Sequence, residues 1–421
     1  MSVVFVNPVG TVGGAERVLS TWVGAVRESL PAARRSAILF ADGPLRSRLE
    51  ALGVAVHVLP LPESLAATGD TALRGQARRP RRLLSLLPAT GRFVLRLQAL
   101  LKQLKPDLIH SNGLKAHLLT AAAKPSGTPL VWHLHDFYSE RPVAKWGLKL
   151  ARAAATGGIA ISDAIRRDTQ RLLPGFRVRT VLNAVDTAHF APGPGDPHAL
   201  DLLAGLPPAA PGVLRIGLVA TYANWKGHGV FLDALAKLPD TLAFRGYVIG
   251  GPIYSTGGSQ VTHEELAARV TMHGLTGRVG LVPFQDDPVS VYRSLDIVVH
   301  ASTRPEPFGL TVAEAMSCGR AVVVSAAGGA AELFRDGEDA LGHPPGDVPA
   351  LASVLTRLLT DTSLGRRLGE AARRTAVMQF GTGRLASEVE AAYRRFARPH
   401  LSQYTSPVRA FAPPLPHSGS P

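Results

Sequence analysis

The stretch that most constrains the fold runs from Asp296 to Glu332, DIVVHASTRPEPFGLTVAEAMSCGRAVVVSAAGGAAE. Asp296 to Ala301 is short, apolar and rich in β-branched residues, which suits a strand. TRPEP ends it with two prolines that bar both helix and ladder pairing. Phe308 to Met316 holds good helix formers and stops at Gly319, after which AVVVS makes a second strand. This order sets Glu306 in the loop ahead of the helix and Glu314 between one and two turns inside it, so that both face one crevice. The free backbone N–H groups around Phe308, Gly309 and Leu310 point the same way, as an anion site at a helix N-terminus does. Carboxylates accept hydrogen bonds from vicinal hydroxyls, and such amides hold phosphate. The combination suits a nucleotide-diphosphate sugar, with Glu314 on the ribose diol and Glu306 on the sugar or its phosphate. The competing reading makes Glu306 a solvated loop acid and Glu314 an exposed helical residue.

EPFGLTVAE at 306–314, followed by EAMSCGRAVVVSAAGGAAEL, resembles the E-x7-E signature of retaining glycosyltransferases of family 4 with the GT-B fold. The resemblance runs through residue 398 and is densest from 214 to 345. It implies an α/β chain of two Rossmann-like, doubly wound domains facing a central cleft. The expected limits are an acceptor-side domain at 1–190, a linker at 191–212, a donor domain at 213–383 and a helix at 384–398 crossing back to the first domain. A disordered tail is expected at 399–421.

Composition bounds the rest. A chain of 421 residues with 46% hydrophobic content is long enough for two full cores. The single cysteine, Cys318, excludes a disulfide framework and reads as packing. The start, MSVVFVNP, enters a strand with no charged n-region, and no apolar run of about 18 residues appears. A cytoplasmic protein is therefore expected. The net charge of +14 favours anionic partners: nucleotide sugars, nucleic acid or an acidic membrane face. Nucleic-acid binding rests on charge alone, because no recognisable module is present.

Along the chain, Val3 to Asn7 reads as the first strand, and PVGTVGGAERVL as its turn and helix. Gly13 and Gly14 let the backbone approach a ligand there, or simply make a tight turn; the resemblance places such a loop against donor and acceptor. Residues 71–105 carry nine Lys or Arg and no acid, interleaved with leucines and Phe93. They suit either a solvated helix pair or peripheral contact with an anionic membrane, decided by where Arg78, Arg79, Arg81 and Arg82 point. PDLIHSNG ends a strand in polar residues, so His110 and Asn112 either line the cleft or cap the next helix. TPLVWHLHDF likewise ends at His135 and Asp136, and the resemblance makes His135 the histidine that contacts the transferred sugar. His133 shares its parity; no third ligand stands at zinc-like spacing, so no metal is expected.

NAVDTAHF resembles the family's N-G-V-D-x-x-x-F element, with Ala184 in place of glycine. Residues 192–212 are rich in proline and glycine and read as linker. In the second half, RIGLVA is a strand and KGHGVFLDAL opens a helix, with Lys226 at the turn as a point charge for phosphate. WKGH fits the family pattern, but Thr221 stands where those enzymes carry arginine, and Arg304 is one residue able to compensate. The backbone of Pro283 to Gln285 is expected to meet the base. A helix is expected at 262–276, and helical repeats from Glu332 to about Phe380.

The expected activity is transfer of a sugar from a UDP- or GDP-type donor to the hydroxyl of a carbohydrate or lipid-linked acceptor, with retention and no cofactor. Polysaccharide or glycolipid biosynthesis is the corresponding setting. Catalysis would rest on His135, Lys226 and Glu306. The donor would be held by Gly13, Gly14, Thr221, Phe308, Gly309, Leu310 and Glu314. A nucleotide-sugar epimerase and a catalytically silent nucleotide-sugar-binding protein are the alternatives. NAD-dependent reduction lacks its dinucleotide fingerprint.

Overall fold

The computed structural model describes residues 1–66, 86–252 and 260–397. Runs of Val, Ile and Leu, as in β1 (Ser2–Asn7), whose six residues are all buried, belong to strands covered on both faces. Seven strands form one all-parallel sheet in the order β3-β2-β1-β4-β5-β6-β7, with the central ones fully buried. They are β1, β2 (Arg34–Leu39), β3 (Ala55–Val58), β4 (Leu108–Asn112), β5 (Leu130–Leu134), β6 (Gly157–Ala160) and β7 (Val178–Thr180). Six more form a second parallel sheet in the order β10-β9-β8-β11-β12-β13. These are β8 (Leu214–Val219), β9 (Phe244–Ile249), β10 (Val279–Val282), β11 (Ile297–His300), β12 (Ala321–Ser325) and β13 (Leu341–His343).

Each order reverses once, between β1 and β4 in the first sheet and between β8 and β11 in the second. A doubly wound sheet opens a crevice at the carboxyl ends of the strands flanking that reversal. Asn7 and Asn112 therefore end neighbouring strands, and the loops that carry Lys226 and Glu306 leave neighbouring strands.

Several expected elements differ in detail. The proline-rich stretch 192–212 contains a helix, Pro197–Leu203, because Asp196 caps it through the Ala199 amide at 2.9 Å. Asp201 also ties it to the second sheet, accepting from Arg215 at 3.0 Å and from the Tyr247 hydroxyl. The helix expected at 262–276 spans His263–Met272 and closes at Gly274, whose φ is +65°. The strand β13 interrupts the helical run after Glu332, which resumes as Val348–Thr360 and Thr362–Phe380. Within 71–105 the structure shows a helix at Leu87–Leu104, while Arg78, Arg79, Arg81 and Arg82 lie outside the described residues. So do 399–421. No helix among the described residues is long and apolar enough to cross a membrane.

The last helix, Thr382–Phe396, packs on Gly14–Ser29 of the first domain. Phe396 covers the sheet so closely that a Cβ on Gly157 would lie 2.2 Å from its ring. The Trp22 indole N–H donates to the Tyr393 hydroxyl at 2.9 Å, and that hydroxyl contacts His110 Nδ1 at 3.0 Å. Both ends of this chain of contacts are buried. Tyr393→Phe leaves a buried indole N–H and a buried imidazole nitrogen unpaired, with an expected cost of about 1–3 kcal/mol. A lowered Tm in a thermal scan checks this; an unchanged Tm would show that the hydroxyl does not tie the helix down.

Candidate functional site

A cleft of about 1460 Å³ lies between the carboxyl ends of the two sheets. That exceeds the range of about 300–1,000 Å³ usual for one small-molecule site, and leaves space for two substrates. Gly13, Gly14 and His135 line it from the first domain. Thr221, Lys226, Glu306, Phe308, Gly309, Leu310 and Glu314 line it from the second. The structure thus sets all the residues expected to act in catalysis or donor binding along one crevice.

Lys226 follows β8 in a one-turn helix, Asn224–Lys226. Gly227 then turns the chain at φ +77°, where a Cβ would fall 1.8 Å from the Ala301 carbonyl oxygen. Only glycine lets the loop after β8 pass so close to the loop after β11. The Thr303 amide fastens the two loops by donating to the Trp225 carbonyl at 2.8 Å. Lys226 Nζ then reaches Glu306 Oε2 at 2.8 Å and sits 4.0 Å from the centroid of the Trp225 ring.

Glu306 is buried, and the same Oε2 contacts the Ser302 hydroxyl at 3.0 Å and His300 Nε2 at 3.3 Å. Burial would raise its pKa, but the Lys226 charge and the His300 contact outweigh it and hold the carboxyl well below the usual range. The sequence assigns Lys226 to phosphate and Glu306 to the sugar or its phosphate. The structure joins them as an ion pair, so the lysine charge facing the cleft is partly neutralised.

The helix after TRPEP starts at Leu310 rather than Phe308, since Gly309 caps it at φ +105° with no side-chain bond. Leu310 and Thr311 of its first turn, where amides lack intrahelical partners, line the cleft. One turn in, Glu314 is buried and accepts from the Tyr292 hydroxyl at 2.8 Å. Burial lifts its pKa to about 7, against the lowering effect of that hydrogen bond.

On the opposite wall, Gly13 caps Gly14–Ser29, and its amide donates to Glu16 Oε2 at 3.1 Å. A Cβ on Gly14 would meet nothing within 4 Å, so the space in front of it is open. His135 follows β5 and contacts Asn112 Oδ1 at 2.5 Å; Asn112 Nδ2 donates to Asn7 Oδ1 at 2.7 Å, and Asn7 Nδ2 to the Val9 carbonyl at 2.8 Å. Because each amide nitrogen in this series donates, Asn112 Oδ1 must accept from a proton on His135 Nε2. Nδ1 is then the acceptor, and burial, which lowers the pKa to about 3, keeps the ring neutral.

His110 and Asn112 are buried behind the cleft rather than lining it, and His133 turns inward to His110 at 3.1 Å. No cluster among the described residues could hold a metal ion.

Sequence reasoning passed over Tyr292, Ser302, His300 and Arg17. Arg17 stands inside the quoted GGAER string, lines the cleft and donates to the Asp286 carbonyl at 3.0 Å across the domain gap. Tyr292 had no sequence signal, since its hydroxyl reaches Glu314 only in the assembled fold.

Residues 211–375 match the family described as Glycosyl transferases group 1, and residues 45–189 match Glycosyltransferase Family 4. The chain belongs to this glycosyltransferase family. Anabaena HepE, solved in complex with UDP and glucose, is 26% identical, with a TM-score of 0.73 over 93% of this chain and 99% of that one. The shared architecture of two facing parallel-sheet domains is the GT-B fold. A D-inositol 3-phosphate glycosyltransferase of Kribbella flavida is 29% identical over 83% of this chain and 88% of its own length. One of Salinispora arenicola is 37% identical, but that match spans only 48% of this chain and 46% of the relative, so the chain spans about half the length of such curated relatives.

Glu314 gives the family member a pH signature. Its folded pKa is raised from the ordinary 4.5 to about 7, so its contribution is fully present below pH 4.5 and is lost as pH rises through 7. The shift corresponds to about 3 kcal/mol. The Tm advantage of the wild type over Glu314→Gln is expected to shrink between pH 5 and pH 8. An advantage constant across that range would contradict a buried, protonated Glu314.

Proposed function

We propose that this chain transfers a sugar from a UDP-type nucleotide donor to an acceptor hydroxyl, with retention at the anomeric carbon. The observation that carries the reading is the Lys226–Glu306 pair set beside the uncapped first turn of Leu310–Ser317 at the reversal point of the second sheet. Lys226 and the amides of Leu310 and Thr311 take the diphosphate, and Glu314 takes the ribose diol. Anabaena HepE supports a UDP-sugar, having also been solved with UDP-glucose. Thr221 supplies no charge at the end of β8; Arg17 and Arg304, both on the cleft wall, provide the second cation.

His135 is neutral and accepts at Nδ1, so its role is to accept a hydrogen bond donated by a hydroxyl of the bound sugar and so orient it. Glu306, held ionised, keeps Lys226 extended toward the departing phosphate. As the glycosidic carbon–oxygen bond breaks, negative charge grows on the diphosphate, where Lys226 and the helix amides stabilise it. The leaving phosphate oxygen accepts the proton of the incoming acceptor hydroxyl on the same face, which gives retention. The acceptor enters along the first domain, where Val94, Leu118 and Leu119 make an apolar wall that favours a lipid-linked compound over a bare carbohydrate. The inositol phosphate relatives favour a phosphorylated polyol instead.

A second reading, a silent nucleotide-sugar binder, is favoured by Thr221 and by the neutralisation of Lys226. Turnover separates the two. UDP is expected to raise the Tm of the wild type, and a UDP-sugar to be slowly hydrolysed without acceptor. Glu314→Ala and Gly14→Leu lose both effects, the latter while keeping its own Tm because its side chain enters open space. Stabilisation without any released UDP would establish the silent binder, and no response to UDP would overturn the donor site.

A further inference from the structure

The helix Pro142–Ala151 presents three distinct stripes. Ala144 and Leu148 are buried in the first core. A Cβ on Gly147 would lie 2.9 Å from Leu118 Cδ1, so the helix is seated tightly on Leu114–Ala123. On the opposite side, one turn apart, Trp146 and Leu150 are 68% and 83% exposed. Trp22 and Trp132, by contrast, are buried. Between the two stripes run Lys145, Lys149 and Arg152, with no acidic residue from 141 to 152, while Arg141 at the helix start pairs with Asp136. Lys149 Nζ lies 5.5 Å from the centroid of the Trp146 ring.

A single exposed leucine is ordinary. A tryptophan and a leucine opposite the buried stripe, edged by cations and covered by no described residue, have the form of a helix lying in a lipid headgroup layer. Tryptophan suits that depth, since its ring is apolar and its N–H polar. The positive edge of Lys145, Lys149 and Arg152 selects an anionic bilayer, in keeping with a net charge of +14. The same helix starts at the cleft, where Arg141 and Ala144 are part of the wall.

We propose that the Trp146–Leu150 face docks this protein on an anionic phospholipid bilayer and holds the acceptor end of the cleft at the membrane surface. The docking does not depend on turnover, so it can hold or fail separately from the transferase reading. It also differs from the membrane contact expected of 71–105, as it rests on another helix.

The test is flotation of the full chain with vesicles of phosphatidylcholine alone or containing phosphatidylglycerol. The wild type is expected to float with the anionic vesicles and not with the neutral ones, less so as salt is raised. Trp146→Ala/Leu150→Ser is expected to weaken that binding at least about tenfold, and Lys145→Gln/Lys149→Gln by about tenfold at low salt. Trp146, Lys149 and Leu150 are exposed and Lys145 is half-buried, so an unchanged Tm and an unchanged UDP response show that fold and donor site remain intact. Equal flotation of wild type and Trp146→Ala/Leu150→Ser, or none by the wild type, would overturn the proposal. A concentration-dependent dimer that this variant abolishes, without vesicle binding, would assign the face to a second copy and overturn it as well.

Discussion

The pair between Lys226 and Glu306 is the contact on which the second domain's wall of the cleft depends. Each residue leaves the carboxyl end of a strand beside the order reversal, β8 or β11, so the doubly wound sheet itself sets their separation. Gly227 and the Thr303 amide lock the loops together, leaving the 2.8 Å bond within a frame that cannot open without breaking backbone contacts. Breaking a buried pair by removing one partner costs about 3–5 kcal/mol, because the other charge stays buried. Glu306 has further anchors through its backbone: its amide donates to the Ala327 carbonyl at 3.3 Å, and its carbonyl accepts from the Gly329 amide at 2.6 Å. The carboxylate is therefore fixed by chain as well as by charge.

The other wall is held to this frame by polar contacts across the gap. Glu332, just beyond the glycine turn, accepts from the Asp163 and Ala164 amides at 2.7 and 2.6 Å and so caps a helix of the first domain. Ser162 Oγ donates to the Pro307 carbonyl at 2.7 Å, one residue from Glu306. His189 meets Asp287 at 2.9 Å on another edge of the gap. The last helix crosses back and engages Trp22 and His110 through Tyr393, behind the strand ends that carry Asn7 and Asn112. His110 Nε2 contacts His133 Nδ1 at 3.1 Å, and the His133 ring centroid lies 4.2 Å from that of His135, so the packing of the last helix reaches the cleft wall through this ring contact.

Much of the architecture was legible in the sequence because buried parallel strands are written as continuous apolar runs. Short elements were not: β13 has three residues, too few for periodicity, and the Pro197–Leu203 helix is hidden in a proline-rich stretch despite its Asp196 cap. The site residues on loops after strands could be named from residue type and spacing, along with the family signature. Their partners could not. Lys226 and Glu306 are 80 positions apart and Tyr292 and Glu314 are 22 apart, so those bonds exist only once the sheet has assembled. The same limit hid the tautomer of His135, which follows from Asn112 and Asn7 on two other strands.

The role proposed for Lys226 is to hold the diphosphate of the donor. Calorimetric titration of the wild type and Lys226→Ala with UDP and with uridine tests it most directly. The wild type should prefer UDP strongly, and Lys226→Ala should lose about 1.5–3 kcal/mol of that preference while its affinity for uridine stays the same. Equal affinity of the wild type for UDP and uridine, or a preference that Lys226→Ala leaves intact, would contradict the account.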